Sequence, residues 1–326
     1  MSITHLDARW SDFRRRYANN PERFDSIDGS VETWSRPITG AEDLPADVLA
    51  LLGRTYPEFP YCVHTPALGL PQQPESFLFL GGDLLMVAKR GGLGLTLFRA
   101  TLDSLDAVTV ETALLQSSIT FHPREGKSVT IPFNTVVDDL FAPVLDAFLA
   151  SKGASVQEAA QLATVRPDPL EDLRARDHKY YTYALDILPG EGLRSRFYHP
   201  TAAAPAPGRR DRQIPAYLLA ASGSMLYVLS GPKPFRTDSG SDYSLVVRYL
   251  PINETSGLSY QAVPGERGYR MVSFRSGAIA FELPLARSAD AEFTAFAQSA
   301  QLPVLPAGER NGLNPALEAQ RRRRVG

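Results

Sequence analysis

Two residues in the first third of the chain, Cys62 and His64, have the types and spacing needed for nucleophilic catalysis. Side chains two residues apart in a β-strand lie on the same face, so a thiolate and its base would be neighbours there. The sequence provides no third group to orient the imidazole and no oxyanion site, and a buried thiol beside a surface imidazole is a simpler interpretation. We therefore assign no catalytic residue and predict a protein that is not an enzyme, with a Cys62/His64 site as the enzymatic alternative.

A second motif with chemical potential is Gly126-Lys127-Ser128, which resembles the end of a phosphate-binding loop. Such a loop holds phosphates with backbone amides and a lysine, needs a glycine five positions earlier, and opens a helix. This chain has Phe121 at that earlier position, and the motif lies between two strand patterns. The segment is therefore predicted to be a hairpin turn, and no cofactor is expected.

Metal ligation is not expected either. A single cysteine excludes a thiolate cluster and an intramolecular disulfide, and it is typical of a reducing compartment, which favours a cytoplasmic protein. The histidines lack the spacing that ligand pairs on a helix require. They are His5, His64, His122, His178 and His199.

The charge balance argues against a general nucleic-acid binder, because 34 basic and 36 acidic residues give a net charge of −2. A terminal arginine run could still attract an anionic surface, although four arginines without interleaved aromatic residues are typical of a solvated tail. The candidate anion or membrane contacts are Lys89, Arg90, Arg321, Arg322, Arg323 and Arg324.

The elements that must position these residues follow a pattern that occurs twice, near residues 77–150 and near residues 217–300. Each copy has short strands with glycine-containing turns and ends in a short apolar helix, and such a repeat defines architecture. The paired strands read FLFLGGDLLMVAKR in the first copy and AYLLAASGSMLYVLS in the second. The predicted turns are 81–83, 123–127, 222–224 and 275–277.

Helix signals are local. Asp138 or Asp139 would cap the first closing helix, with Pro143 in its first turn. A shorter helix is predicted up to Leu52, capped by Asp43. Further strands are predicted near 61–64, as an edge strand, and near 180–185, where tyrosines are frequent.

Each half resembles the bacterial pleckstrin-homology-like (PH-like) domain. The resemblance rests on the two strand pairs above, on TLDSLDAVTVE, on SVTIPFN before the closing helix, and on the turn LPGEG at 188–192. It implies a mainly β fold with capping α-helices: two bent antiparallel barrels in tandem, each closed by a C-terminal helix, and an N-terminal helical extension.

The predicted organisation follows from the repeat and from composition shifts. The N-terminal residues do not have the pattern of a secretory signal. No apolar stretch has a length close to the ~20 residues that are needed to cross a bilayer. The segments are an N-terminal extension (1–60), a first PH-like domain (61–152), a linker (153–177), a second PH-like domain (178–302) and a flexible basic tail (303–326).

Members of the PH-like superfamily are generally binding or assembly modules. The resemblance therefore implies a non-catalytic binding or scaffold protein that acts through protein–protein contacts with a partner whose identity the sequence does not give, and a homo-oligomer stays open. Strand edges and the polar insertion 232–242 are the predicted docking surfaces. The alternative is peripheral binding to an anionic membrane or lipid, although Lys89 and Arg90 alone do not make the basic stripe of a phosphoinositide reader.

Overall fold

The structure is a computed structural model of the whole chain. It describes residues 34–53, 60–67, 74–91, 94–114, 116–154, 170–188, 193–204, 212–235, 244–252, 257–261, 268–277 and 279–303. The described chain is mainly β, with several antiparallel sheets and short helices, which confirms the predicted class. Within these ranges, no helix combines the length and the apolar character that a membrane span requires.

The first half begins with a five-stranded antiparallel sheet in which sequential strands are neighbours. One face is covered by a short helix, α1 (Ala46–Leu52), whose Val48 and Leu52 pack with Cys62 and Phe79. The strands are β1 (Arg36–Ile38), β2 (Tyr61–Thr65), β3 (Glu75–Gly81), β4 (Leu84–Gly91) and β5 (Gly94–Thr101).

Three further strands and a helix complete this half. The strands are β6 (Leu105–Ala113), β7 (Gln116–Pro123) and β8 (Val129–Asn134). A 3-10 segment, Thr135–Leu140, leads into α2 (Ala142–Ser151), and α2 buries Val144 and Phe148 against the inner faces of both sheets.

The second half also ends in a closing helix that follows a series of strands. Two short helices, α3 (Glu171–Arg176) and α4 (His178–Ile187), precede it. The strands that follow are β9 (Leu193–His199), β10 (Ala202–Ala204), β11 (Arg212–Ile214), β12 (Tyr217–Ser222), β13 (Met225–Ser230) and β14 (Leu245–Pro251). A three-stranded sheet, β15 (Gly257–Gln261), β16 (Tyr269–Ser276) and β17 (Ile279–Ala286), and a closing helix, α5 (Asp290–Ser299), end the half.

One sheet runs through both halves, in the order β8-β7-β6-β14-β13-β12-β9. The halves join where β14 pairs antiparallel with β6, from Leu245 opposite Thr112 to Tyr249 opposite Val108. Within the described residues no sheet closes on itself, so the two predicted barrels are not seen as closed sheets.

The cores follow from this shared sheet, because successive residues of a strand point to opposite faces. On β14, Val247 and Tyr249 join the core of the first half, whereas Leu250 joins the core of the second half. Helix α4 covers the same face as Val247, where Tyr180 and Ala184 are buried in the first core. A continuous apolar layer therefore links the two halves.

Several local predictions are confirmed. The four predicted turns join β3 to β4, β7 to β8, β12 to β13 and β16 to β17. Each contains a glycine with positive φ: Gly82, Gly126, Gly223 and Gly277. Pro143 lies at the start of α2, and α1 ends at Leu52 before Gly53.

Other local predictions are wrong. Residues 178–187 form helix α4 because the Asp177 side chain accepts a hydrogen bond from the Tyr180 amide and caps the first turn. Strand β2 lies inside its sheet, since β1 covers the edge predicted to be free. Asp43, Asp138 and Asp139 do not cap the predicted helices: α1 starts after Pro45 and α2 after Phe141.

The junction between the halves also depends on a turn glycine. A Cβ at Gly277, in the β16–β17 turn, would overlap the carboxylate of Asp106, which is 1% exposed on β6. Gly223 has a similar positive φ, but a Cβ there would meet no atom within 4 Å.

We expect Gly277→Ala to lower the free energy of unfolding more than Gly223→Ala does. Both variants bear the cost of a left-handed alanine, about 1 kcal/mol, and only Gly277→Ala adds the overlap with Asp106, roughly 1–3 kcal/mol more. Urea unfolding of both variants measures the difference. Equal losses would show that this turn does not pack against β6.

Candidate functional site

Arg248 lies on β14 within the shared sheet, and it is the central residue of the candidate site. Its Nη1 donates a hydrogen bond to Ser230 Oγ at 3.0 Å, and its guanidinium carbon lies 4.8 Å from the ring centroid of Phe281. Burial lowers the pKa of Arg248 to about 10, while the negative charge of Glu111 acts in the opposite direction. At this pKa the guanidinium remains charged at neutral pH.

The charge of Arg248 is not matched by an ion pair. No carboxylate of the described residues lies within 4.0 Å of its guanidinium nitrogens, and Ser230 is its hydrogen-bond partner among them. A charged group removed from water needs polar partners to recover its lost solvation. Arg248 therefore retains hydrogen-bonding capacity for an acidic group.

A small cleft adjoins this guanidinium and has a volume of about 40 Å³. The exposed Lys233 gives it a second cation, and Glu282 gives it one anion. The remaining walls are the start of β12, the end of β13 and the middle of β17, together with neighbouring prolines. The described lining consists of Pro215, Ala216, Tyr217, Ser230, Gly231, Pro232, Lys233, Pro234, Arg248, Glu282, Leu283 and Pro284.

A row of polar side chains continues from Arg248 across β6 and β7. Thr109 is opposite Arg248, and its Oγ1 lies 3.0 Å from His122 Nε2. The other ring nitrogen of His122, Nδ1, lies 2.9 Å from Ser128 Oγ. Burial, followed by the positive charge of Arg248, lowers the pKa of His122 to about 4. A neutral imidazole is thus fixed between two hydroxyls at neutral pH.

This arrangement is suited to recognition by charge and hydrogen bonding. Histidine, cysteine and aspartate are absent from the described residues that line the cleft. Burial raises the pKa of Tyr217 well above its usual value, so its phenol stays protonated. The guanidinium of Arg248 and the ammonium of Lys233 therefore give the described cleft two cations that suit an oxyanion.

Lys89 and Arg90, predicted as membrane contacts, lie on β4 of the five-stranded sheet and already have protein partners. Lys89 Nζ donates to the Thr130 carbonyl oxygen at 2.8 Å. Arg90 forms ion pairs with Asp47 at 2.6 Å and with Glu75 at 2.7 Å. These contacts tie β4 to β8, to α1 and to β3, so both cations hold elements together. The other predicted contacts, Arg321–Arg324, lie outside the described residues.

Cys62 and His64 are on β2, as the alternation predicts. Cys62 is fully buried, and burial raises the pKa of its thiol well above the usual value. His64 Nε2 lies 2.8 Å from Glu75 Oε1, and its ring stacks on Phe77. Both residues are in the described chain, and no hydrogen bond joins their side chains. The imidazole is thus paired with a carboxylate and is not hydrogen-bonded to the thiol.

The segment Gly126-Lys127-Ser128 is the β7–β8 hairpin turn, as predicted, with Gly126 at φ 93°. Its Ser128 hydroxyl contacts His122, so the turn supports the polar row. Arg248 was not among the residues predicted to form a site. The signal was present, since Arg248 interrupts the otherwise apolar strand LVVRYLP, but its surroundings depend on pairing with the distant strand β6.

Comparisons with known proteins add no identification: no protein-family model matches this chain, and no curated protein matches it. Within the described ranges, no three or more His, Cys, Asp or Glu side chains form a group that could hold a metal ion. The candidate site is therefore interpreted from its geometry and its charges.

The neutral state of His122 predicts a dependence of stability on pH. The folded pKa is about 4 and the ordinary value is 6.5, so below pH 6.5 the unfolded chain binds a proton that the folded chain does not. Stability should therefore fall as the pH drops from 6.5 towards 4, by up to about 1.4 kcal/mol per pH unit from this residue.

The variant His122→Asn removes this contribution and keeps one amide for hydrogen bonding. Urea unfolding of wild type and variant between pH 7.5 and 4.5 should give a shallower slope for His122→Asn. Burial also lowers the pKa values of His64 and His199. These two residues contribute equally to the pH dependence of stability in both proteins, so the difference in slope comes from residue 122. Parallel slopes would contradict the buried neutral imidazole.

Proposed function

We propose that this protein is a non-catalytic binding module, built from two PH-like domains in tandem, that binds an acidic group of a partner protein in the Arg248 cleft. The PH-like interpretation is supported by the repeated order of elements. In each half, strands of one sheet are followed by three strands of a second layer and by a closing helix: β2–β5, β6–β8 and α2, then β9 with β12–β14, β15–β17 and α5.

The observation that carries the proposal is the guanidinium of Arg248, which borders a cleft and has no carboxylate partner among the described residues. Arginine donates two parallel hydrogen bonds to a carboxylate or phosphate, and such bonds contribute about 1.5–3 kcal/mol. Lys233, on the same cleft, adds long-range attraction for an anion.

The size of the cleft favours a macromolecular partner. Pockets that enclose whole small ligands usually have volumes of roughly 300–1,000 Å³, whereas this cleft has about 40 Å³. It accommodates one acidic group, and the remainder of the ligand must lie on the surface outside it. Pro232 and Pro234, which line the cleft and are not buried, provide a rigid apolar surface for such contacts.

The membrane alternative has less support. Lys89 and Arg90 are engaged by Thr130, Asp47 and Glu75, so membrane binding would depend on the terminal arginines alone. An enzymatic role for Cys62 has less support too, because its thiol is buried and is not hydrogen-bonded to His64. We place the binding activity in the cytoplasm, as the single cysteine indicates.

The variant Arg248→Met tests the proposal, because it removes the charge and keeps much of the apolar side chain. Tagged wild-type protein incubated with lysate from the source organism should retain a stoichiometric partner, measured by quantitative mass spectrometry. Arg248→Met should retain about tenfold less of it, the equivalent of one lost charge-assisted hydrogen bond. Binding should also weaken as salt rises.

Arg194→Met is the matched control, since Arg194 is an exposed arginine on β9 of the same half. It should retain the partner at the wild-type level, and thermal unfolding should show that both variants fold. A partner retained equally by wild type and Arg248→Met would contradict the cleft as its binding site. Recovery from membrane fractions alone would favour the lipid alternative.

A further inference from the structure

The two halves differ in whether the outer edge of one strand is paired: in the part of the chain that the structure describes, β14 is paired on both edges, and β5 is not. Strand β14 pairs with β13 on one side and with β6 of the first half on the other. Strand β5 has the corresponding place in the first half, and it pairs only with β4 among the described residues, as the last strand of its sheet.

The register of the two hairpins makes this correspondence residue by residue. Gly81 pairs with Leu84 at the β3–β4 turn, as Ser222 pairs with Met225 at the β12–β13 turn. Leu84 therefore corresponds to Met225. The β4–β5 and β13–β14 ladders then relate three residues of β5 to three residues of β14. The related pairs are Leu95 with Leu245, Leu97 with Val247, and Arg99 with Tyr249.

The burial is opposite for two of these three pairs, while Leu95 is half-buried against the core that α1 covers. Leu245, Val247 and Tyr249 are 7%, 4% and 5% exposed, because β6 and the rest of the first half cover them. Leu97 is 42% exposed, and Arg99 is exposed and has no ion-pair partner in the described chain. The same structural position is thus covered in one half and open in the other.

Strand β5 has one of the features with which proteins usually protect an edge, the charged side chain of Arg99, and lacks the others. It is eight residues long, contains no proline or lysine, and its ladder with β4 runs without a bulge from Thr101 to Gly94. An unprotected edge presents unpaired backbone groups to any extended chain that can approach it. Such an edge is a site for strand addition.

We propose that β5 binds an extended segment of a partner protein as an added antiparallel strand along residues 95–99. In the other half, β6 places Val108 opposite Tyr249 and Val110 opposite Val247. In an added strand, the equivalent residues would lie opposite Arg99 and Leu97. An acidic residue is therefore favoured at the first position and an apolar residue two positions later. This site is separate from the Arg248 cleft and does not depend on it.

A synthetic peptide tests the proposal. It has the β6 sequence, Leu105–Ala113, with Val108→Glu, so that the glutamate faces Arg99 when the peptide pairs as β6 does. Fluorescence anisotropy of the labelled peptide with the full-length protein should show saturable binding. Hydrogen exchange should show that the amides of residues 95–99 become protected when it binds.

Charge reversal provides the control. Arg99→Glu should weaken binding about fivefold, the upper range for one cross-strand charge pair, and a second peptide with Val108→Lys should bind this variant better than it binds wild type. Arg194→Glu, on β9, should change neither affinity. Arg248→Met should leave peptide binding unchanged, so failure of the cleft proposal and failure of this one are distinguishable.

Three results would overturn the proposal. The first is the absence of saturable binding up to about 1 mM peptide, since weaker association would not be specific. The second is protection of the β5 amides in the free protein at every concentration, which would mean that the chain covers its own edge. The third is protection that rises with protein concentration, which would assign the edge to a second copy.

Discussion

The pairing of β14 with β6 is the interaction on which the rest of this structure depends. It joins strands more than a hundred residues apart in the sequence and turns two local sheets into one sheet of seven strands. Because one face of β14 belongs to each core, the same strand contributes Val247 to the first core and Leu250 to the second. Breaking this ladder would expose apolar surface on both sides of it.

The shared sheet also explains why a repeated sequence pattern gives two halves with different surfaces. Within the described residues, β14 is paired along both of its edges, whereas β5 is paired along one. Covering β14 places Arg248 beside Thr109 and near the charge of Glu111, at the edge of a cleft. The polar row through His122 is therefore a product of the junction, since neither half alone contains all of its members.

Local features were predictable because local chemistry determines them. The turns at Gly82, Gly126, Gly223 and Gly277 follow from the ability of glycine to adopt positive φ. The tyrosine-rich segment 178–187 shows the opposite case: its β propensity is overridden by the Asp177 cap and by burial of Tyr180 and Ala184 against the sheet. The environment of Arg248 could not be predicted, because it requires the register between β6 and β14, and nothing in either segment specifies it.

Amide hydrogen exchange of the native protein tests the central claim most directly. If β6 and β14 join the halves, the hydrogen-bonded amides within 108–112 and 245–249 should exchange as slowly as those of the β12–β13 hairpin, since all of them then open only with the core. Exchange of these amides at the rate of the exposed residues 125–127, with β12–β13 still protected, would contradict a shared sheet.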